Sequence, residues 1–468
     1  VGFPTAFFYC ILVIPFMDAF LNQYHTQVSP NAPCVTLNAK NQSARLTYTC
    51  DFIFRQVLRL NFQVVTDLQA FKAAEGIKID LTHVTETSAM SIPINGFIAE
   101  ENLSSAAFTL LPHNETFVLA RQLSPNTEWE VLDVFSAVFY FISRHEEWTN
   151  DKTDIHDRFD AQASLLVKHN CHLFPLVDSW IDALKANIRK AFPGIALPPV
   201  FFKVISTIDV DNVMAYQGKP LVRSLGGLGK SFVRFDFTDI RRRLSCLLTG
   251  KKDPFDIYDE VSAFCAEHEI PLAYFFLCRT GTTYDRSLNP HAKVLSKVFA
   301  EIKHHRGGIG LHPSYNSAYE FGLLKQEKEI LQRRSGNNIL YSRQHFLRFD
   351  IKSTPQLLQD NGIVADFSMG FAAEPGFRAG TSHPFKFFDF QANKPGNILL
   401  VPFCAMDGAY THYKPVAATE AYGSLVALAE SIKKVGGYFT FVYHERTFDN
   451  HLYKDYGDLY KKLLLHLK

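Results

Sequence analysis

The chain contains no Cys-x-x-Cys pair. Its eight cysteines, Cys10, Cys34, Cys50, Cys171, Cys246, Cys265, Cys278 and Cys404, are scattered. This excludes a zinc ribbon and a thioredoxin-like redox motif. Several lie in apolar runs, such as Cys278 in AYFFLCRT and Cys404 in LLVPFCAM, and read as small buried hydrophobes. Reduced thiols in a cytosolic protein are therefore expected. Neither sign of charge dominates: 48 Lys and Arg face 47 Asp and Glu, a net of +1. No global field draws the chain to nucleic acid or to an acidic membrane. No stretch reaches the roughly eighteen apolar residues of a membrane span, so no integral membrane segment is expected. The apolar run at 6–17, AFFYCILVIPFM, is too short to cross, and its positive flank is missing because the first Lys or Arg is Lys40. Residues 1–45 read as a truncated or mis-started leader outside the folded part, with secretion or membrane anchoring as the alternative. Internal repeats and low-complexity segments are also absent.

Phenylalanine is abundant, with 42 among 468 residues. An aromatic-rich core accounts for that better than a carbohydrate-stacking surface. At roughly 150 residues per domain the length allows two or three domains. Short strand-like and helical pieces mix over 46–200, with helical spacing at 128–145 and 176–192. PGIALPP at 193–199 then punctuates the chain and marks a domain boundary. Beyond it, apolar strand runs at 203–209, 272–278, 308–312, 338–345, 363–368, 397–403 and 437–444 alternate with helical segments. Seven strands interleaved with helices predict an α/β fold, either a (β/α) barrel or a doubly wound sheet.

Some motifs read as bland. LGGLGKS (225–231) lacks the first glycine of a phosphate loop, since Ser224 stands there, and reads as a turn before a helix. RRRLSCLLTGKK (241–252) reads as a solvated helix face. His145 with Glu146 and Glu147, and HNCH at 169–172, read as surface or helix-end positions. The strand ends are more informative. Asp209 and Asp211 in STIDVDN point to one side of an extended chain, at the end where β/α barrels hold their chemistry. Two such carboxylates repel unless a cation or proton lies between them. His312 ends the run GIGLH, Arg343 and His345 lie in YSRQHF, and His444 ends FTFVYH.

In that order the motifs resemble the NodB homology domain of polysaccharide deacetylases, carbohydrate esterase family 4, over about 201–468. The resemblance implies a distorted seven-stranded (β/α) barrel preceded by a smaller α+β domain at 46–200. DVFSAVFYFISRHEEW and HDRFDAQ in that region resemble the N-terminal domain of a bacterial subgroup. It also implies metal-dependent removal of an acetyl group, N-acetyl by expectation, from a carbohydrate or polysaccharide. Asp209 takes the place of the base and Asp211 of a metal ligand, with His312 as the next ligand. The family's second histidine, four residues on, is Asn316 here, so Asn316 or His345 is expected to complete the set around a divalent ion, zinc by expectation. Arg343 matches the arginine that orients the base, with Arg378 in GFRAGT as its rival. His444 matches the acid. Asp366 in VADFSMGF and Arg378 are the substrate-binding candidates. The Asn316 departure leaves open a glycan-binding barrel that does not cleave, and loops leave open a C–N hydrolase of non-sugar amides.

Overall fold

The computed structural model describes residues 17, 20–21, 28–82, 89–279 and 282–468. Cys10 and residues 6–16 of the N-terminal apolar run lie outside them. The first sheet is parallel, formed by β1 (Cys34–Asn38), β2 (Asn61–Val65), β3 (Ile77–Asp80) and β4 (Met90–Ser91) in the order β2-β1-β3-β4. Residues 34–45 were expected to lie in a leader. Instead β1 is an inner strand with Val35 and Leu37 fully buried, and Ser43 caps the helix Ala44–Cys50 by accepting the Leu46 N–H at 3.1 Å. Met17, Phe20 and Leu21 are also buried, packed under the large sheet with Ile205, Phe275 and Phe367. Within the expected leader, Met17, Phe20, Leu21 and residues 35–39 are thus buried, while residues 29–31 and 40–42 are exposed. A separate antiparallel meander follows, β5 (Ala107–His113), β6 (Thr116–Gln122) and β7 (Glu130–Val131).

The large sheet comprises β8 (Phe202–Val210), β9 (Leu272–Leu277), β10 (Gly308–His312), β11 (Tyr341–Ser342), β12 (Ala365–Met369), β13 (Phe385–Asp389), β14 (Lys394–Pro402), β15 (Ala405–Met406) and β16 (Gly437–His444). Its order is β13-β14-β12-β11-β10-β9-β8-β16-β15. Each of the seven expected strand runs contains a strand, and all seven of those strands are parallel. They read as continuous apolar runs because helices cover parallel sheets; β16 is buried along its whole length. The expected distorted seven-stranded barrel is met only in part: among the described residues the sheet has nine strands and ends in edges at β13 and β15. β13 turns back antiparallel on β14, pairing Asp389 with Lys394, and so occupies the edge that closure would need. Gly310 on β10 lets the interior fill, since a Cβ there would stand 2.7 Å from the rings of Phe275 and Tyr341.

The N-terminal elements are seated on this sheet. The helix Val134–Ile142 is apolar on nearly every side and buried; Phe139 and Tyr48 each meet the Phe388 ring at 5.1 Å. These contacts place much of the phenylalanine in the core. His145, Glu146 and Glu147, expected at a surface, are buried too. His145 lies among Phe97, Phe108, Tyr140 and Phe390. Glu147 receives Arg378 through two bonds of 2.8 Å and Arg144 at 2.7 Å. Gly376 has φ +129°, and a Cβ there would strike the His172 carbonyl. That close approach lets Phe377 donate its N–H to His172 at 2.7 Å. LGGLGKS is not a turn but lies inside the helix Leu221–Val233, and RRRLSCLLTGKK opens in the helix Phe237–Thr249. Among the described residues no helix is long and apolar enough to cross a membrane.

Candidate active site

Strand register brings the chemistry together. β16 pairs with β8 so that His444 lies opposite Asp209, and β10 pairs with β11 so that Leu311 lies opposite Ser342. The carboxyl ends of these parallel strands therefore share one rim. A cleft of about 240 Å³ opens there, lined by Asp209, Asp211, His312, His345, His444 and Arg446 among others.

Asp209 is buried, and its Oδ1 accepts from Arg343 Nη1 at 2.8 Å. Arg343 is held in turn: Nε donates to the Phe367 carbonyl at 2.9 Å, and the guanidinium lies 4.7 Å from the Phe275 ring centre. An arginine buried against rings and fastened to one carboxylate fixes that carboxylate in direction.

Asp211, His312 and His345 form the metal-ligand geometry. Their facing ligand atoms all lie within 4.8 Å of one another. Asp211 Oδ1 stands 3.5 Å from Nε2 of each imidazole and has no hydrogen-bond partner although buried. Such an orphaned oxygen fits a cation position. His312 Nδ1 donates to the Arg343 carbonyl at 2.6 Å. His345 Nδ1 lies 3.0 Å from Asp285 Oδ1. Both contacts leave Nε2 with its lone pair toward Asp211, the arrangement that metal-ligating histidines use. One carboxylate and two imidazoles so placed could hold a metal ion. The other Asp211 oxygen is taken by Arg446 Nη1 at 2.5 Å. Burial would raise the Asp211 carboxyl, but Arg446, His345 and His312 hold it well below the usual carboxylate range.

His444 closes the rim. Its Nδ1 is 2.7 Å from Asp407 Oδ1, and its backbone N–H donates to Asp407 Oδ2 at 2.8 Å. Burial pulls the imidazolium down, and the Asp407 carboxylate more than offsets it, so the pKa stands at about 9. His444 therefore carries a proton at neutral pH.

Three expected residues lie elsewhere. Asn316 is exposed, and it does not share a helical face with His312 because residues 313–320 form no helix. The i, i+4 spacing has no geometric force there, and His345 from the end of β11 occupies the position beside His312. Arg378 does not replace Arg343 at Asp209, since its guanidinium is paired with Glu147. Asp366 is buried on β12, accepting from Ser342 Oγ at 2.7 Å and the Ser368 N–H at 2.8 Å. Neither Arg378 nor Asp366 lines the cleft. Sequence reading missed Asp285, Asp407 and Arg446. Asp407 follows the apolar run LLVPFCAM, the same signal that marked Asp209, and Arg446 lies two residues past His444. Asp285 sits in a loop with no such mark.

Residues 35–193 match a family of unknown function, DUF7033. No curated protein matches the chain. Solved structures similar to it include one described as "putative polysaccharide deacetylase" from Mycobacterium smegmatis, at 12% identity over 58% of this chain and 86% of that one, with a TM-score of 0.37. A PuuE allantoinase is similar at 11% identity over 57% and 87%, with a TM-score of 0.36. The polysaccharide deacetylase Bc1974 from Bacillus cereus is similar at 8% identity over 56% and 85%, with a TM-score of 0.28.

Proposed function

We propose that the cleft is the centre of a metal-dependent hydrolase that removes an acetyl group, N-acetyl first, from a carbohydrate. The observation that carries this reading is the convergence of three separately anchored units on one cavity: Asp209 with Arg343, the set Asp211, His312 and His345, and His444 with Asp407. Asp211, His312 and His345 would hold a divalent ion, zinc by the nature of the donors, which when bound polarises a carbonyl and acidifies water. Asp209 is the base, its free oxygen available to take a proton from the attacking water. Arg343 keeps that base aimed. His444, protonated and steadied by Asp407, holds the proton that the departing amine requires. Phe346, Met406 and Tyr413 line the apolar side of the cleft, where the acetyl methyl and a sugar face would rest. In this reading residues 46–200 form the N-terminal unit and 201–468 the catalytic one.

Asn316 raised the possibility of a barrel that binds a glycan without cleaving it. His345 at the third ligand position supports the cleaving reading. The test is acetate release from N-acetylated chitooligosaccharides by the zinc-loaded protein. Glycan binding with neither metal uptake nor acetate release would replace catalysis with binding.

A further inference from the structure

The connection between β8 and β9 carries two consecutive helices whose apolar stripes are largely exposed among the described residues. In Leu221–Val233, Leu221, Leu225, Leu228 and Phe232 recur at i, i+4, i+7 and i+11. In Phe237–Thr249, Phe237, Ile240, Leu244 and Leu248 recur at i, i+3, i+7 and i+11. This is the spacing of a face that packs. Yet Leu248 is 77% exposed, Leu221 74%, Phe232 64% and Phe237 62%, and Val222 and Val233 beside the first stripe are exposed too. An exposed apolar area on two adjacent helices exceeds what scattered surface residues produce.

The charge of the same segment is one-sided. Residues 219–252 contain nine Lys and Arg against two Asp, a net of +7 in a chain of net +1. On the first helix Arg223 and Lys230 lie on the side opposite the Leu221–Phe232 stripe. The rest of the chain is therefore net negative, and the cations are gathered on the two helices that carry the apolar stripes. The two helices are also fixed to each other and to the mouth of the cleft. Gly227 leaves the space that the Arg243 guanidinium fills, and Arg243 Nη2 meets Asp239 at 3.2 Å. Arg242 Nη2 donates at 2.6 Å to Asp449, just beyond the segment that carries His444 and Arg446.

We propose that this helical pair lies in the interface of an anionic phospholipid bilayer. Its Phe, Leu and Val side chains would enter the acyl boundary, and the exposed Lys230, Arg234, Arg241 and Lys251 would meet the lipid phosphates, the pattern of an interfacial amphipathic helix. The tie to Asp449 then brings the cleft to the membrane surface, where its substrate would be membrane-associated. Charge complementarity selects the occupant: an uncharged apolar partner gives the clustered cations no role.

The full-length protein is floated with vesicles of phosphatidylcholine alone and of phosphatidylcholine mixed with phosphatidylglycerol. Binding is expected on the mixed vesicles and weak or absent on the neutral ones. The triple variant F232S/V233S/L248S should lose binding while keeping its melting temperature, because all three side chains are exposed. The variant K230Q/R234Q/K251Q should bind about a hundredfold more weakly, at about fivefold for each cation near an anionic surface. No binding to either vesicle, or equal binding to both, overturns the proposal. Self-association of the wild type that the apolar triple variant abolishes also overturns it and gives the face to a second copy of this chain. The assay needs no turnover, so its failure leaves the proposed chemistry where it stands.

Discussion

Replacing Asp285 tests whether His345 is a metal ligand. Asp285 is buried, and its Oδ1 lies 3.0 Å from His345 Nδ1 and accepts the Tyr315 N–H at 2.9 Å. Its Oδ2 accepts from Thr282 Oγ1 at 2.8 Å. Removing the carboxylate removes the acceptor that fixes the tautomer with the Nε2 lone pair facing Asp211. Losing such a partner behind a ligating imidazole costs about 10–100-fold in metal affinity, or about 1.4–2.7 kcal/mol. D285A should reach the upper end of that range. D285N keeps an acceptor oxygen for the imidazole and the amide and should fall near the lower end. Alanine also strands the Tyr315 N–H, at about 1–3 kcal/mol of stability, so affinities must be compared well below the melting transition. Zinc competition against a chromophoric chelator gives the three constants directly. Equal affinity in wild type, D285N and D285A would refute the assignment of His345.

Other expectations follow from the buried charges and the rim. E147Q should destabilise the fold by about 3–5 kcal/mol in urea unfolding, because it leaves the buried Arg144 and Arg378 without their shared carboxylate. The buried, unpartnered His145 has a pKa lowered to about 3, chiefly by desolvation and further by Arg45. The unfolded chain protonates it below about 6.5, so its contribution to stability is intact above that pH and is lost as the pH falls toward 3. Between pH 7 and pH 5 the stability of wild type relative to H145L should fall by about 2 kcal/mol, a difference in which oppositely shifted groups such as Asp178 cancel. A flat difference would show that His145 is protonated in the fold.

The strand ends were legible because parallel strands buried on both faces are continuous apolar runs, and a polar residue that ends one stands out. That signal marks Asp209, His312 and His444, and it was present unread at Asp407. The spacing that points to Asn316 has force only on a helix, whereas residues 315–319 form a turn. His345 replaces Asn316 through β10–β11 pairing, which sets side by side residues far apart in sequence. Arg378 is conspicuous in sequence because it is a lone arginine in an apolar stretch, but its partner Glu147 lies 231 positions away. The nine-stranded sheet was hidden because FKFFD at 385–389 is a short aromatic run with no turn signal to fix it as an edge. Overall neutrality concealed the cationic helices after β8, since the count of charges says nothing of where they gather.

Zinc-dependent acetate release from an N-acetylated oligosaccharide, measured in wild type and D209N side by side, tests the central claim most directly. Asp209→Asn keeps the shape of the cleft and the metal ligands but removes the base. Wild type should release acetate with zinc and stop when zinc is chelated. D209N should bind zinc with unchanged affinity and lose activity by at least about a hundredfold. Full activity in D209N, or none in zinc-loaded wild type with acetylated glycan bound, would contradict the account.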